Sequence, residues 1–270
     1  MASIAEAVLD GLDERRPDAI SLIFLLRHFA ATEREDVRER LGDALTVALA
    51  SHADEPSVGG RAAWLTLFRE AAVLSDDERL GAAAGDLVAS LRRDWRSNAT
   101  VADASYSVET CLRAADLDPD RAGLLITAAV DELERIVGHS YGPGEGIGDY
   151  ADHVRAAGAL LTAYETTGRL PYAMLAEELM QSSKRTSASN RPYVIECEAA
   201  RVFCRLAALH DDADYRAAAI LAPNADYRAD ASRLLTGLAP RARAEGAAIY
   251  GLALGELLFV TIESPDTYGH

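Results

Sequence analysis

Acidic residues and a histidine gather in and just after a glycine-rich segment in the middle of the chain. Glu145 and Asp149 lie on either side of Gly146 and Gly148, and His153 follows Asp149 by one helical turn. Two carboxyl groups that exchange protons are what glycoside hydrolysis or sugar epimerisation requires. Glu198 and His153 complete this set of acid–base candidates. The structural alternative is that the glycines make turns and that Asp149 caps a helix.

Aromatic and basic side chains in neighbouring segments are candidates for the walls of a ligand site. Four rings could support a sugar or an apolar ligand, and Arg191 could bind an anionic group; the rings are those of Trp64, Tyr106, Tyr141 and Tyr193. The aromatic content of 6% is low for a carbohydrate-active protein. Arginines at helix ends also form ordinary exposed ion pairs, so both interpretations of Arg191 stay open.

No motif for a metal or a cofactor accompanies these residues. The chain has no His-x-x-x-His or Cys-x-x-Cys spacing, and the glycine-rich segment lacks the Lys-Ser/Thr ending of a phosphate-binding loop. The three cysteines, Cys111, Cys197 and Cys204, are predicted to be reduced and packed in helices. We therefore expect no metal and no cofactor, and chemistry that depends on carboxylates and not on thiols.

The charge balance bears on possible partners. Asp and Glu number 43 against 27 Lys and Arg, which gives a net charge of −16 over 270 residues. Such an acidic chain repels a phosphate backbone, so nucleic acid is not an expected partner. The longest apolar run, 19–26, contains a serine and ends at an arginine, and no signal peptide is recognisable. The sequence predicts a cytoplasmic protein that does not bind membranes, and its many Ala, Arg and Asp residues are typical of a bacterial protein.

Hydrophobic periodicity is helical along almost the whole chain. Leu22, Leu25, Leu26 and Phe29 show the usual spacing of three and four, and sustained alternation with a period of two is nearly absent. The sequence therefore predicts an all-α protein. β-branched and aromatic residues cluster only near the end, where residues 259–270 are predicted to form a short extended tail.

An internal repeat sets the predicted architecture. Ala156-Ala157 and Tyr172 recur as Ala199-Ala200 and Tyr215, each 43 positions later. Turn signals between paired helices recur at intervals of 43, 43, 50 and 43 residues, at Thr32, Ser75, Asp118, Gly168 and Asp211. A 43-residue helical hairpin buries its apolar face only against neighbouring copies. About six hairpins fit in the chain, which predicts one domain, residues 1–270, folded as an (α/α)6 toroid; the alternative is an open superhelix.

The single longer interval locates an insertion at residues 139–150, which we expect to be a mobile loop that tolerates change at Gly144 or Gly146. The connections between successive hairpins should meet at one pole of a toroid, because the short turns lie at the other. We expect these connections to surround the mouth of the toroid and to carry the binding site; they are residues 53–60, 97–104, 139–150, 186–192 and 237–246.

The second half of the chain resembles a known family. The segment Leu160-Leu161-Thr162-Ala163-Tyr164-Glu165-Thr166-Thr167-Gly168 with Tyr172, the later Glu198-Ala199-Ala200 with Tyr215, and the ending Phe259-Val260-Thr261-Ile262 are similar to the C-terminal region of thioredoxin-domain proteins of the spermatogenesis-associated type. The resemblance covers about residues 149–266. It implies a six-hairpin toroid related to N-acylglucosamine 2-epimerases and six-hairpin glycosidases, with a short strand at the end. It implies no redox chemistry, because the thioredoxin region is not expected in this chain.

Two functions from different classes follow. The first is a non-catalytic α/α-toroid scaffold that binds a protein or a small metabolite at its loop-rich pole. The second is a small-molecule enzyme of the sugar epimerase or glycoside hydrolase type that uses carboxylates at the mouth of the toroid. The lack of a paired catalytic motif favours the first.

Overall fold

The computed structural model describes residues 1–14, 17–95, 99–143, 146–185, 191–219 and 224–263. These residues are almost entirely helical, which confirms the predicted all-α class. Six long helices alternate with the others along the chain, and we call them the inner helices: α2 (Ala19–Thr32), α4 (Val58–Leu74), α6 (Val101–Arg113), α8 (Tyr150–Thr167), α10 (Tyr193–Asp211) and α14 (Ala247–Glu263).

The inner helices contact one another in a closed order. Each packs against the next in the sequence α2, α4, α6, α8, α10 and α14, and α14 packs in turn against α2. Each inner helix therefore has two inner neighbours, and the (α/α)6 toroid itself stays a prediction from the sequence. Every inner helix buries its sides against two neighbours, so each hairpin depends on the adjacent hairpins to bury its apolar surface.

The remaining helices lie outside this circuit, one or more against each inner helix. They are α1 (Ala2–Glu14), α3 (Glu35–Ser51), α5 (Glu78–Asp94), α7 (Ala122–Ser140), α9 (Leu170–Ser183), α11 (Ala213–Ala219), α12 (Tyr227–Leu238) and α13 (Ala242–Glu245). α3, α5, α7 and α9 each pack on the inner helix that precedes them, and α12 packs on α10. α1 contacts both α14 and α2, so the first helix covers the point where the circuit closes.

Local signals in the sequence set the helix ends. α2 begins after Asp18, whose carboxylate accepts a hydrogen bond from the Ser21 amide at 2.9 Å. α8 ends at Gly168, which has a φ of 69° and so adopts the left-handed conformation that glycine favours. Of the other predicted turn positions, Ser75 and Asp118 lie between paired helices, and Thr32 and Asp211 are the last residues of α2 and α10, so all mark hairpin turns to within one residue.

The insertion differs from the predicted loop. α7 continues to Ser140, and β1 (Tyr141–Gly142) pairs antiparallel with β2 (Gly146–Ile147), with Tyr141 opposite Ile147. Ile147 is fully buried, because this small hairpin packs against α8 and α9. The prediction that residues 139–150 form a loop throughout is therefore wrong. Their predicted mobility stays a prediction, and residues 144–145 lie outside the described part of the chain.

The predicted extended tail is also wrong where it can be compared. α14 continues through Phe259 to Glu263, although this stretch is rich in β-branched residues. Packing of α14 against α2, α10 and α12 outweighs the weak intrinsic preference of such residues for strand. Residues 264–270 of the predicted tail lie outside the described ranges.

The core is one continuous apolar cluster that involves all inner helices. Cys111, Cys197 and Cys204 are free and buried in it, so the prediction that they are packed in helices is confirmed. Within the described ranges, none of the helices combines the length and the apolar character needed to cross a membrane.

Candidate functional site

A cavity of about 820 Å³ lies inside the circuit of inner helices, and all six contribute to its lining. Its lining residues come mainly from the middle and the C-terminal halves of these helices. Helical periodicity explains the arrangement, because positions three and four apart repeatedly face the same side. Residues 106, 109, 110 and 113 of α6 are one such set, and residues 198, 201, 202, 205 and 208 of α10 are another.

This cavity does not coincide with the predicted mouth, and binding at that mouth stays a prediction. None of the described residues of the five connections between hairpins lines it. The C-terminal ends of the inner helices lead into the short turns within the hairpins, so the cavity lies toward the pole opposite the one predicted. The described glycines of residues 139–150 belong to a turn region, whereas the cavity is lined by residues at ordinary positions within helices.

Arg205 is the centre of one ion-pair network in the cavity wall. Its Nη1 donates to Oε1 of Glu109 at 3.1 Å, and its Nε donates to Oε1 of Glu165 at 3.1 Å. Nη2 donates to the hydroxyl of Thr162 at 2.8 Å, and Nη1 also reaches the Gly158 carbonyl at 3.0 Å. One guanidinium group thus joins α10 to α6 and α8.

A second network joins α2, α4, α10 and α14. Arg27 donates to Glu70 from Nε at 2.9 Å and from Nη2 at 2.6 Å, which is a two-pronged pair. Its Nη1 lies 3.4 Å from Oε1 of Glu256, and Arg201 donates to the same oxygen from Nε at 2.7 Å. Glu256 therefore links the last inner helix to both the first and the fifth.

Two of the predicted site residues belong to a third network. Glu198 accepts from Arg155 Nε at 2.9 Å, and Arg155 Nη1 donates to Asp103 at 2.9 Å. The guanidinium carbon of Arg155 lies 5.1 Å from the ring centre of Tyr106, which is a cation–π contact. Glu198 and Tyr106 both line the cavity, although the sequence placed them near the other pole.

The protonation states of the cavity residues follow from burial and from the arginines. Burial opposes charge on Glu109 and Glu256, but Arg113, Arg205 and Arg201 beside Glu109, and Arg201 and Arg27 beside Glu256, hold both carboxyl pKa values below the usual range. These carboxylates are therefore ionised and are poor proton donors. Burial, with Glu256 nearby, raises the pKa of Cys204 to about 12, so this thiol is not a ready nucleophile.

His28 is a buried polar residue of the lining that lacks a protein partner at one nitrogen. Its side chain is almost inaccessible to solvent, and within the described ranges no hydrogen-bond partner reaches Nε2. Burial, together with the cation Arg34, lowers its pKa, so the imidazole is neutral at pH 7. A buried nitrogen of this kind normally finds a water molecule or a ligand.

The other acid–base candidates do not line the cavity. Asp149 accepts from the amides of Ala151 and Asp152 at 2.9 and 3.1 Å, and Asp152 caps in return, so the pair forms a capping box at the start of α8. His153 is buried, and its Nδ1 lies 2.6 Å from the Asp149 carbonyl oxygen. Glu145 lies outside the described residues. Of the three described acid–base candidates, Glu198 alone lines the cavity.

The remaining ligand-site candidates also lie apart from the cavity. Tyr141 donates to Glu178 at 2.7 Å, and Arg191 donates to the backbone oxygens of Ser183 and Lys184. Tyr193 is buried beneath Arg241. Trp64 lines a smaller cavity of about 300 Å³ near the start of α2.

Of the charged lining residues, the sequence analysis identified only Glu198. It missed Arg27, Arg69, Glu70, Glu109, Arg113, Arg155, Glu165, Arg201, Arg205 and Glu256. Two signals point to them. Arg27 is the only Asp, Glu, Lys or Arg of α2, and Glu256 is the only one in residues 247–262. The repeat is the second signal, because the pairs Arg27–Glu70 and Arg155–Glu198 each join positions 43 apart on neighbouring inner helices.

No metal centre accompanies these carboxylates: a search of the described residues finds no group of three or more His, Cys, Asp or Glu arranged to hold a metal ion. Comparison of the chain with protein-family models, with curated proteins and with solved structures gives no match. The resemblance to toroid proteins therefore stays a prediction from the sequence, and the function is argued from the cavity itself.

Proposed function

We propose that the protein is a non-catalytic binder of a small metabolite, which it holds in the cavity between the inner helices. The observation that carries this proposal is the cavity itself: its volume falls in the range of about 300 to 1,000 Å³ that is usual for small-molecule sites. Most of the lining surface is apolar, and its eleven charged side chains, six arginines and five glutamates, are joined in ion pairs. The unpartnered Nε2 of His28 adds a polar group that a ligand could satisfy.

Binding is favoured over catalysis because of how the acids are held. General acid catalysis needs a carboxyl group whose pKa lies near the working pH. Glu109 and Glu256 are instead kept ionised by arginines, and Glu198 is paired with Arg155. The sugar epimerase or hydrolase alternative needs a carboxyl group free to exchange a proton, and Asp149, its other described acid, is occupied as a helix cap.

A cavity-filling variant tests the location of binding. Gly255 lines the cavity on α14, and a Cβ added there meets only the end of Met1 at 3.8 Å, so a larger side chain can enter the open space. We expect Gly255→Phe to fold and to abolish binding of compounds found in a thermal-shift screen of small metabolites. Gly85→Phe on the exposed side of α5 is the matched control and should keep all binding.

Two results would contradict the proposal. Compounds that stabilise Gly255→Phe as strongly as the unmodified protein bind elsewhere. Turnover of a bound sugar, followed by chromatography, would show that the protein is an enzyme.

A further inference from the structure

Opposite walls of the cavity differ in chemistry. α6 and α14 are separated by two inner helices in both directions round the circuit, so they face each other across the cavity. α6 contributes only polar side chains: Tyr106, Glu109, Thr110 and Arg113. α14 contributes one charged residue, Glu256, and otherwise Ile249, Gly251, Leu252, Gly255, Leu258, Phe259 and Val260. A molecule that fills the cavity therefore contacts a polar wall on one side and an apolar wall on the other.

The apolar wall continues to the surface. Leu258 and Phe259 line the cavity and yet are 45% and 60% exposed, and Met1 beside them is 39% exposed. Large apolar side chains that are grouped and exposed at the edge of a cavity are typical of binding sites. An apolar ligand body that extends along α14 would cover them.

The charged groups of the lining favour an anion. The lining holds six arginines and five glutamates, and two of the arginines also pair with aspartates outside it, Arg69 with Asp116 and Arg155 with Asp103; the arginines are Arg27, Arg69, Arg113, Arg155, Arg201 and Arg205, and the glutamates are Glu70, Glu109, Glu165, Glu198 and Glu256. Among the described residues, no acceptor bonds to Nη1 of Arg113 or of Arg201. Both pair through their other nitrogens, with Glu109 and Glu256. These N–H groups can donate to a ligand oxygen without breaking an ion pair.

We infer that the ligand of this cavity is a small amphipathic organic monoanion, with a carboxylate on the polar side and an apolar body along α14. The inference rests on the proposed function and gives it a ligand class. The Nη1 groups of Arg113 and Arg201 offer donors for one carboxylate, whereas the neighbouring glutamates repel a more highly charged head group such as a phosphate dianion.

Isothermal titration calorimetry with four probes tests the inference: octanoate, octanol, octylammonium and acetate. Octanoate should bind at least about tenfold more tightly than each of the others, because only octanoate has both the anionic head and the apolar body. Equal affinity for octanoate and octanol would overturn the anionic head, and equal affinity for octanoate and acetate would overturn the apolar body.

Two substitutions test where each end of octanoate lies in the cavity. Arg201→Gln should weaken octanoate about tenfold and leave octanol unchanged. Because this change removes a partner of Glu256, Phe259→Glu provides a second test at an exposed position where folding is not at risk. It should weaken octanoate at least about tenfold by removing apolar contact and adding a negative charge. Arg121→Gln, on an 83% exposed side chain, is the control and should change nothing.

Failure of the inference is distinguishable from failure of the proposed function. If screened compounds bind and Gly255→Phe blocks them, but octanoate does not bind, the ligand class alone is wrong. If Gly255→Phe abolishes the binding of neither octanoate nor any screened compound, the proposed binding function is wrong as well.

Discussion

The cavity between the inner helices and the start of α8 are both rich in charged groups, but the groups have different partners. At the start of α8 the acids bind backbone amides: Asp149 caps the helix, and Asp152 accepts from the Ala102 amide at 2.8 Å. In the cavity the charges bind one another across helices, as Arg205 does with Glu109 and Glu165. The first pattern satisfies backbone amides at helix ends. The second holds neighbouring helices together and leaves guanidinium N–H groups for a ligand.

The difference shows what to look for in a helical repeat. Glycines and clustered acids mark turns and caps, because those positions need special backbone conformations or hydrogen-bond acceptors. An isolated charge inside an apolar helix has no such local purpose and needs a partner on another helix. Arg27 and Glu256 are of this second kind.

The largest effect is expected from Arg205→Ala, which removes the guanidinium that joins α10 to α6 and α8. Loss of one partner from a largely buried ion-pair network typically costs about 3 kcal/mol, because Glu109 and Glu165 then lose a cation. Urea denaturation measures this change in the free energy of unfolding. Arg233→Ala, whose side chain is 75% exposed, should change it by less than about 0.5 kcal/mol. Equal effects of the two variants would show that the cavity network does not stabilise the protein.

The all-α class, the hairpin boundaries and the repeat length were predictable because they depend on local periodicity and on turn residues such as Gly168. The cavity residues were not. Whether Arg27 faces the cavity or a neighbouring helix depends on how the six inner helices pack together. A single sequence carries only one trace of this packing, which is the recurrence of charged residues near the 43-residue period. The helical end of α14 was missed for the same reason, since tertiary packing there overrides the strand preference of its residues.

A second prediction concerns Gly146, which the sequence indicated to be tolerant of change. Gly146 has a φ of 81°, and a Cβ there would lie 2.2 Å from Nε2 of the buried His153. We therefore expect Gly146→Ala to lower the free energy of unfolding by about 2 kcal/mol. Gly81→Ala, inside α5 and with no atom near the new Cβ, should instead stabilise by about 0.5 to 1 kcal/mol. If Gly146→Ala leaves the free energy of unfolding unchanged, the result would support the tolerant loop predicted from the sequence.

A third prediction uses the acid dependence of stability. The pKa of Glu109 in the folded protein lies below its ordinary value of 4.5, because nearby arginines outweigh the effect of burial. The stabilisation is therefore complete above pH 4.5 and is lost as the pH falls through the folded-state pKa. Glu109→Gln should be less stable than the unmodified protein at pH 7, and the two should converge in acid. Parallel stability–pH curves, measured by urea denaturation, would contradict this assignment.

The smallest effect should follow from changing Asp149, and it separates the two regions most directly. Asp149→Ala removes the acceptor for the amides of Ala151 and Asp152 and should cost about 1 kcal/mol, as the loss of an N-cap does. Asp149→Asn keeps an oxygen that can cap, so it should cost much less. Because Asp149 does not line the cavity, octanoate affinity should be unchanged in both variants. If Asp149→Asn is as stable as the unmodified protein but loses ligand binding, the carboxylate itself has the functional role that the sequence first suggested, and the site belongs at the start of α8.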